Sequence, residues 1–344
     1  MHPITWTILI STLSTSTIIT MSSHHWLLAW LGLELNTLSI LPIIMKPHHP
    51  RATKATTKYF LIQTTAAALI LFASTLNAWK TGHWNILSPS SPTSNIILLS
   101  AILLKLGIAP AHLWYPDIIQ GSNMLTALTV STWQKLAPLS LPTYVMNTTT
   151  AILLLGLLSV AIGGWAGLNQ TQTRKIMAFS SIAHMGWLMM ALTTNPHLTT
   201  LTLITYLLMT TATFLSLTST TTKTLQDLGT TWSHSPALAT MTVLTLLSLG
   251  GLPPLTGFMP KLLILKELIL MNLTPTSTLL AMISLPSLYF YTRMVYFTII
   301  TTPPNTTCTK HTWRLSNNKN TNPTLIMSLA TMLLPILPLT YLTT

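Results

Sequence analysis

Four ionisable residues fall inside apolar runs where charge is costly: Glu34, Lys105, Lys135 and Lys261. Glu34, in HHWLLAWLGLELNTLSILP, is the one acidic residue of the first three runs. Lys105 lies about ten residues into its run, or about 15 Å at 1.5 Å per residue, close to the middle of a hydrocarbon layer about 30 Å thick. Lys135 is as deep in TALTVSTWQKLAPLSLPTY, and Lys261 follows an interruption in GLPPLTGFMPKL. A mid-membrane charge costs about 2.5–3.5 kcal/mol, so four cost about 10 kcal/mol, comparable to the stability of a whole domain. Snorkelling accounts for lysines within a turn of an interface, but not at this depth. The chemistry these groups suit is proton transfer. Burial disfavours an ammonium and a nearby carboxylate favours it, so a lysine held between those influences is loaded and unloaded by moving one neighbouring charge. Glu34 is expected to pair with Lys105, with Lys135 and Lys261 further along one row. His112, about two turns beyond Lys105, and His184, in SSIAHMGW, could extend that row or be ordinary buried histidines. Lys266 and Glu267 can form a local pair near a helix end.

The elements that must position these residues are transmembrane helices. A span needs about 20 mostly apolar residues. That rule yields eleven: roughly 3–20, 26–45, 59–79, 95–120, 125–145, 149–168, 175–193, 198–221, 237–271, 276–300 and 323–342. The fourth and ninth are too long for one crossing and too short for two. Pro110 interrupts one, and Pro253, Pro254 and Pro260 the other. Proline removes a backbone donor and clashes with the preceding turn, so both helices are expected to be broken. Two such segments at corresponding places in two halves point to a transport site. Loops of any length occur only at 46–58, 80–94, 221–236 and 301–322, so residues 1–344 read as a single transmembrane domain. The N-terminus, MHPITWTILI, reads as a first span rather than a removed signal.

Composition excludes other classes. Lys+Arg 16 and Asp+Glu 4 make the chain 6% charged, against about 25% for a soluble domain. Mean hydropathy is +0.56, yet the hydrophobic fraction is only 49%. Ser and Thr fill the difference, tolerable in lipid because a helical hydroxyl can bond back to its own backbone. Cys308 alone permits no internal disulfide and no cysteine-ligated cluster within the chain. Two lone intramembrane histidines offer at most one haem pair. No phosphate loop or zinc spacing appears, so no nucleotide, metal or cofactor is expected on this chain. The net charge of +12 suggests no nucleic acid, because the basic residues gather in loops as orientation signals. Lys46, Arg51, Lys54, Lys58, Arg174, Lys175, Lys223, Arg293, Lys310, Arg314 and Lys319 fall on the side of the N-terminus, and Lys80 alone on the other. The N-terminus therefore belongs on the negative face of the membrane.

KLGIAPAHLWYPDIIQG (105–121) and LSLGGLPPLTGFMPKLLILKEL (247–268) resemble the two broken-helix signatures of the antiporter-like, proton-pumping subunits of respiratory complex I. KYFLIQTTAA (58–67), RKIMAFSSIAHMGW (174–187) and the Thr- and Met-rich composition extend the likeness to the vertebrate mitochondrial type. The resemblance implies an all-α antiporter-like fold with a truncated N-terminal repeat. It implies proton translocation by this chain while partner subunits, carrying FMN and iron–sulfur clusters, oxidise NADH and reduce ubiquinone. Glu34 and Lys105 match the family's glutamate–lysine pair, Lys135 its central lysine, Lys261 the lysine after the second break and His112 the histidine of the first. The implied location is the mitochondrial inner membrane, N-terminus in the matrix and C-terminus in the intermembrane space. Implied partners are neighbouring antiporter-like and other membrane-arm subunits and bound lipid, cardiolipin being a candidate. The competing readings are a free-standing monovalent cation/proton antiporter, for which Asp117 is the nearest second carboxylate, and a structural scaffold.

Overall fold

The computed structural model describes residues 2–86, 91–145, 149–300 and 323–333, and these residues form helices and no strand. The elements are α1 (Pro3–Ser22), α2 (Trp26–Met45), α3 (Pro50–Thr81), α4 (Pro92–Leu106), α5 (Trp114–Gly121), α6 (Met124–Ser131), α7 (Trp133–Val145), α8 (Thr149–Gly167), α9 (Thr173–Thr194), α10 (Pro196–Thr220), α11 (Leu225–Leu228), α12 (Thr231–His234), α13 (Pro236–Gly250), α14 (Phe258–Leu270), α15 (Thr274–Ile300) and α16 (Thr324–Met332). Contacts divide the chain into two compact units, Met1–Leu155 and Gly156–Thr344. Helices α1, α2, α3, α9 and α10, with the main stretch of α8, are long and apolar enough to cross a membrane. The end of the expected last span, 334–342, lies outside the described residues, as do Cys308, Lys310, Arg314 and Lys319.

Local chemistry explains why these residues are helical in lipid. Prolines open α1, α3, α4, α10 and α13, where a missing N–H costs nothing and a fixed φ favours the first turn. The hydroxyls bond back to their own helices: Ser16 Oγ donates to the Leu13 carbonyl at 2.9 Å, Thr205 to Thr202 at 3.0 Å and Ser248 to Thr245 at 2.7 Å. A polar side chain so satisfied can be buried without a partner elsewhere.

Both expected breaks are present, but glycine makes them. α4 ends at Gly107 (φ +67°), and the Gly107 and Ile108 amides both donate to the Leu103 carbonyl. α13 ends in the same way at Gly251 (φ +82°), with Gly251 and Leu252 donating to Leu247. This left-handed stop needs a residue without Cβ, and the prolines that follow prevent the helix from resuming at once. Pro260 is no interruption; it lies in the first turn of α14, where its ring is tolerated. The second break also needs Gly257, whose Cβ would fall 1.8 Å from the Ser248 carbonyl oxygen. No side chain fits there.

Three expectations need correction. The stretch 50–58, expected as loop, is the start of α3, so Arg51, Lys54 and Lys58 ride on a helix of 32 residues. Ala and Lys favour helix there, and the polar turns simply project beyond the apolar span. The fifth run is not continuous: α6 stops at Ser131, Thr132 adopts φ −112°, ψ −70°, and α7 restarts at Trp133. The loop 221–236 contains α11 and α12.

Arg293 Nη1 donates to the Leu168 carbonyl at 2.6 Å, which joins it to the loop that leads into α9, whose first turn carries Arg174 and Lys175. That loop is tied in turn to residues 221–225: Thr173 N–H donates to the Lys223 carbonyl and Leu225 N–H to the Thr171 carbonyl. Asp227 completes a capping box with Thr224, and its carboxylate accepts from the Thr224 amide at 2.8 Å and the Lys223 amide at 3.0 Å. Those two amides, Thr224 first, hold the Asp227 carboxyl below its ordinary range. Its stabilisation is complete above the unfolded value, near 3.9, and is lost as pH falls through the depressed folded value. Hydrogen exchange at Lys223 and Thr224 should therefore accelerate, relative to neighbouring amides, only in strong acid. In Asp227→Asn that extra acid response should vanish, and an unchanged response would refute the role.

Candidate functional site

In the first unit α2, α3, α4, α5 and α7 converge on Lys105 and Lys135. Lys105 occupies the last turn of α4, just ahead of the Gly107 stop, and is 6% exposed. Its Nζ is buried with no hydrogen-bond partner among the described residues. Glu34 on α2 is half-buried, and its charge reaches both Lys105 and Tyr59, but no hydrogen bond joins it to Lys105. Glu34 Oε2 is likewise buried without a partner. The expected pair is thus a through-space one.

Lys135 sits in the first turn of α7, immediately past the Thr132 irregularity, and is 4% exposed. Its Nζ lies 4.9 Å from the centre of the Tyr115 ring, a cation–π distance. Lys105 and Lys135 line one cavity of about 10 Å³, with Tyr59, Gln63, Tyr115 and Gln134. That is the scale of one water molecule. The helix ends make the two amines unequal: the carbonyl end of α4 attracts a cation, whereas the amide end of α7 repels one. One small cavity with two such amines suits a single mobile proton.

A buried amide network frames this cavity. Gln134 Nε2 donates to Asn36 Oδ1 at 3.0 Å, Tyr59 Oη donates to Gln134 Oε1 at 3.4 Å, and Gln63 Nε2 donates to the Lys105 carbonyl at 3.4 Å. Sequence reasoning missed Asn36, Tyr59, Gln63 and Gln134. The available signal was polarity: an Asn two residues after Glu34, a Gln beside Lys135, and Tyr59 and Gln63 one turn apart on α3. His112 lies in the first break with Nδ1 3.2 Å from the Pro110 carbonyl oxygen. There Nδ1 donates and Nε2 remains as the basic nitrogen, but His112 does not line the cavity of Lys105 and Lys135.

In the second unit Lys261 lies in the first turn of α14 and reaches back across the break, its Nζ donating to the Gly250 carbonyl at 2.9 Å. The last carbonyl of α13 is thereby partnered by an ammonium. Gly251 permits the approach, since a Cβ there would meet Lys261 Nζ at 2.8 Å. Lys261 and His184 line a cavity of about 20 Å³ with Trp187, Thr205 and Tyr206. His184 Nε2 is 3.4 Å from Tyr291 Oη. The histidine that the sequence tied least firmly to the row is the one brought beside a lysine. Asp117 lies in the first turn of α5 and pairs with Lys58.

Neither cavity resembles a site for an ordered cation, and among the described residues no group of three His, Cys, Asp or Glu could hold a metal. The first offers two buried amines, phenols and amides, and the second an amine, a histidine and a phenol, all groups able to pass protons.

Residues 23–302 match the family described as NADH:quinone oxidoreductase/Mrp antiporter, and 288–341 match NADH dehydrogenase subunit 2 C-terminus. The chain is 51% identical over 341 residues to NADH-ubiquinone oxidoreductase chain 2 of Carassius auratus, covering 98% of each. Among solved structures it resembles a chain of Thermus thermophilus respiratory complex I with bound aureothin, at 27% identity and TM-score 0.82, covering 96% of this chain and 79% of that one. A chain of the Mrp complex from Dietzia shares the fold at 15% identity and TM-score 0.77, over 86% of this chain and 61% of that one.

Proposed function

This chain belongs to the NADH-ubiquinone oxidoreductase chain 2 family, and from that premise we propose that it is a core membrane-arm subunit of respiratory complex I. It carries protons across the mitochondrial inner membrane, driven by NADH oxidation and ubiquinone reduction in partner subunits. The observation that carries this reading is Lys105: an amine buried without a hydrogen-bond partner, beside a helix break and within the field of Glu34. Keeping such a group is costly unless its charge is used.

In this reading Lys105 and Lys135 exchange a proton within their shared cavity, and Glu34 biases which one holds it. Lys261 and His184 form a second station, and His112 serves the first break. The chain itself holds no cofactor; NADH, FMN, iron–sulfur clusters and ubiquinone belong to partner subunits. We read residues 1–344 as one transmembrane domain of eleven crossings with a truncated N-terminal repeat. Its N-terminus is in the matrix and its C-terminus in the intermembrane space, as the basic loops require. Neighbouring antiporter-like subunits and lipid, cardiolipin among them, pack around it.

The free-standing antiporter is the reading to test against. The Mrp likeness supports a common fold, whereas a lone Na⁺ exchanger would need oxygen ligands, and Asp117 is taken by Lys58. In sealed vesicles the assembled complex should move protons on addition of NADH. The isolated chain should neither oxidise NADH nor exchange Na⁺ for protons; strong solitary exchange would favour the antiporter.

A further inference from the structure

One face of α3 changes character along its length. Arg51, Lys54, Lys58, Leu61 and Phe72 all project within about 100° of one another at 100° per residue. The first three are cationic; Leu61 and Phe72 are 62% and 52% exposed. Against the cationic end lies a cavity of about 270 Å³ lined by Arg51, Lys54, Lys58, Asp117, Gln120 and Gly121. It is built rather than incidental. α5 can close against the first turns of α3 because Gly121 has no side chain: a Cβ would meet Ala55 Cβ at 2.6 Å and the Arg51 carbonyl oxygen at 2.9 Å. Lys58 is neutralised by Asp117, while Arg51 and Lys54 have no carboxylate partner among the described residues.

Depth identifies the ligand. A helix of 32 residues is about 48 Å long, against a hydrocarbon core of about 30 Å and an interfacial layer of about 5–7 Å on each side. The apolar run begins at Tyr59, so Lys58 lies at its edge, Lys54 about 6 Å further out and Arg51 about 10 Å out. The cavity therefore spans the headgroup layer from Lys58 to Lys54, with the Arg51 backbone just outside it and its long side chain able to reach back. The exposed Leu61 and Phe72 continue down the same face as an acyl chain would.

We propose that Arg51 and Lys54, in the cavity between α3 and α5, bind the phosphate of an anionic phospholipid whose acyl chain lies along Leu61 and Phe72. This rests on the reading of α3 as a transmembrane helix and gives lipid, proposed above as a neighbour, a place. It does not depend on Lys105 or on proton transport. The test compares lipid retained by the assembled complex after exhaustive detergent washing, measured by mass spectrometry. Arg51→Gln with Lys54→Gln should lose anionic phospholipid that the wild type keeps, with zwitterionic lipid unchanged. Arg51→Lys with Lys54→Arg, which preserves charge, should keep it. Equal anionic lipid in the wild type and the Gln variant would overturn the proposal. So would a Gln variant that sheds a neighbouring subunit while retaining its lipid, since the cations would then serve a protein partner. Lipid is counted whether or not the complex pumps, so failure of the transport reading would be seen separately.

Discussion

Lys105→Met should abolish the proton movement that depends on this chain while leaving the complex assembled. Lys105 Nζ makes no hydrogen bond among the described residues, so methionine, similar in volume, removes a charge without orphaning a donor or acceptor. Replacing a whole buried ion pair by packed apolar side chains is often neutral or stabilising by about 1–4 kcal/mol, whereas removing one partner of a contact pair costs about 3–5 kcal/mol because the other charge is left uncompensated. Glu34 is half-buried and coupled to Lys105 only through space. Lys105→Met should therefore cost less than a broken contact pair, and Glu34→Gln added to it should recover that loss. A role in holding the fold would leave the double variant as unstable as the single one. The transport loss should reach at least the about 10²-fold typical of deleting a proton-transfer group. Lys105→Arg completes the test. Guanidinium keeps the charge but does not release its proton, so it too should be inactive. Normal NADH-driven proton movement in vesicles with either variant would refute the assignment of Lys105.

Lys261 should respond differently, because it has two roles. Its ammonium donates to the Gly250 carbonyl across the second break, and it lines the cavity that contains His184. Lys261→Met should both stop transport and destabilise the second unit by about 1.5–3 kcal/mol, the value of a hydrogen bond from a charged donor. Lys261→Arg can still partner the end of α13, so stability should return while transport does not. Measuring unfolding and proton movement together separates the roles. If arginine restored transport as well, Lys261 would be a helix-end clamp and no proton carrier.

The likeness among the three lysines conceals different local physics. Lys105 ends a half-helix and feels a carboxylate; Lys135 begins one and faces a tyrosine ring; Lys261 begins one and is held by another helix's carbonyl. Three amines of the same type at similar depth therefore need not load together, and a transport mechanism requires that inequality.

The sequence by itself determined the membrane class, the Gly-then-Pro breaks and the cost of Glu34, Lys105, Lys135 and Lys261, because each depends on composition or on residues a few positions apart. A glycine with proline close behind it is a local signal to stop a helix, and a charge in the middle of an apolar run is costly whatever its neighbours. The start of α3 at Pro50 was obscured because polar residues at a membrane edge read alike whether coiled or helical. Only the tertiary structure decided which groups meet. Asn36 and Gln134 are 98 residues apart, His184 and Tyr291 are 107, and no local pattern encodes such a pairing. It also separated Glu34 from direct contact with Lys105, set His112 apart from the lysine cavity and placed His184 beside Lys261. Hydrocarbon excludes water from around these polar groups, so helix packing alone chose their partners and thereby fixed where a proton can be held.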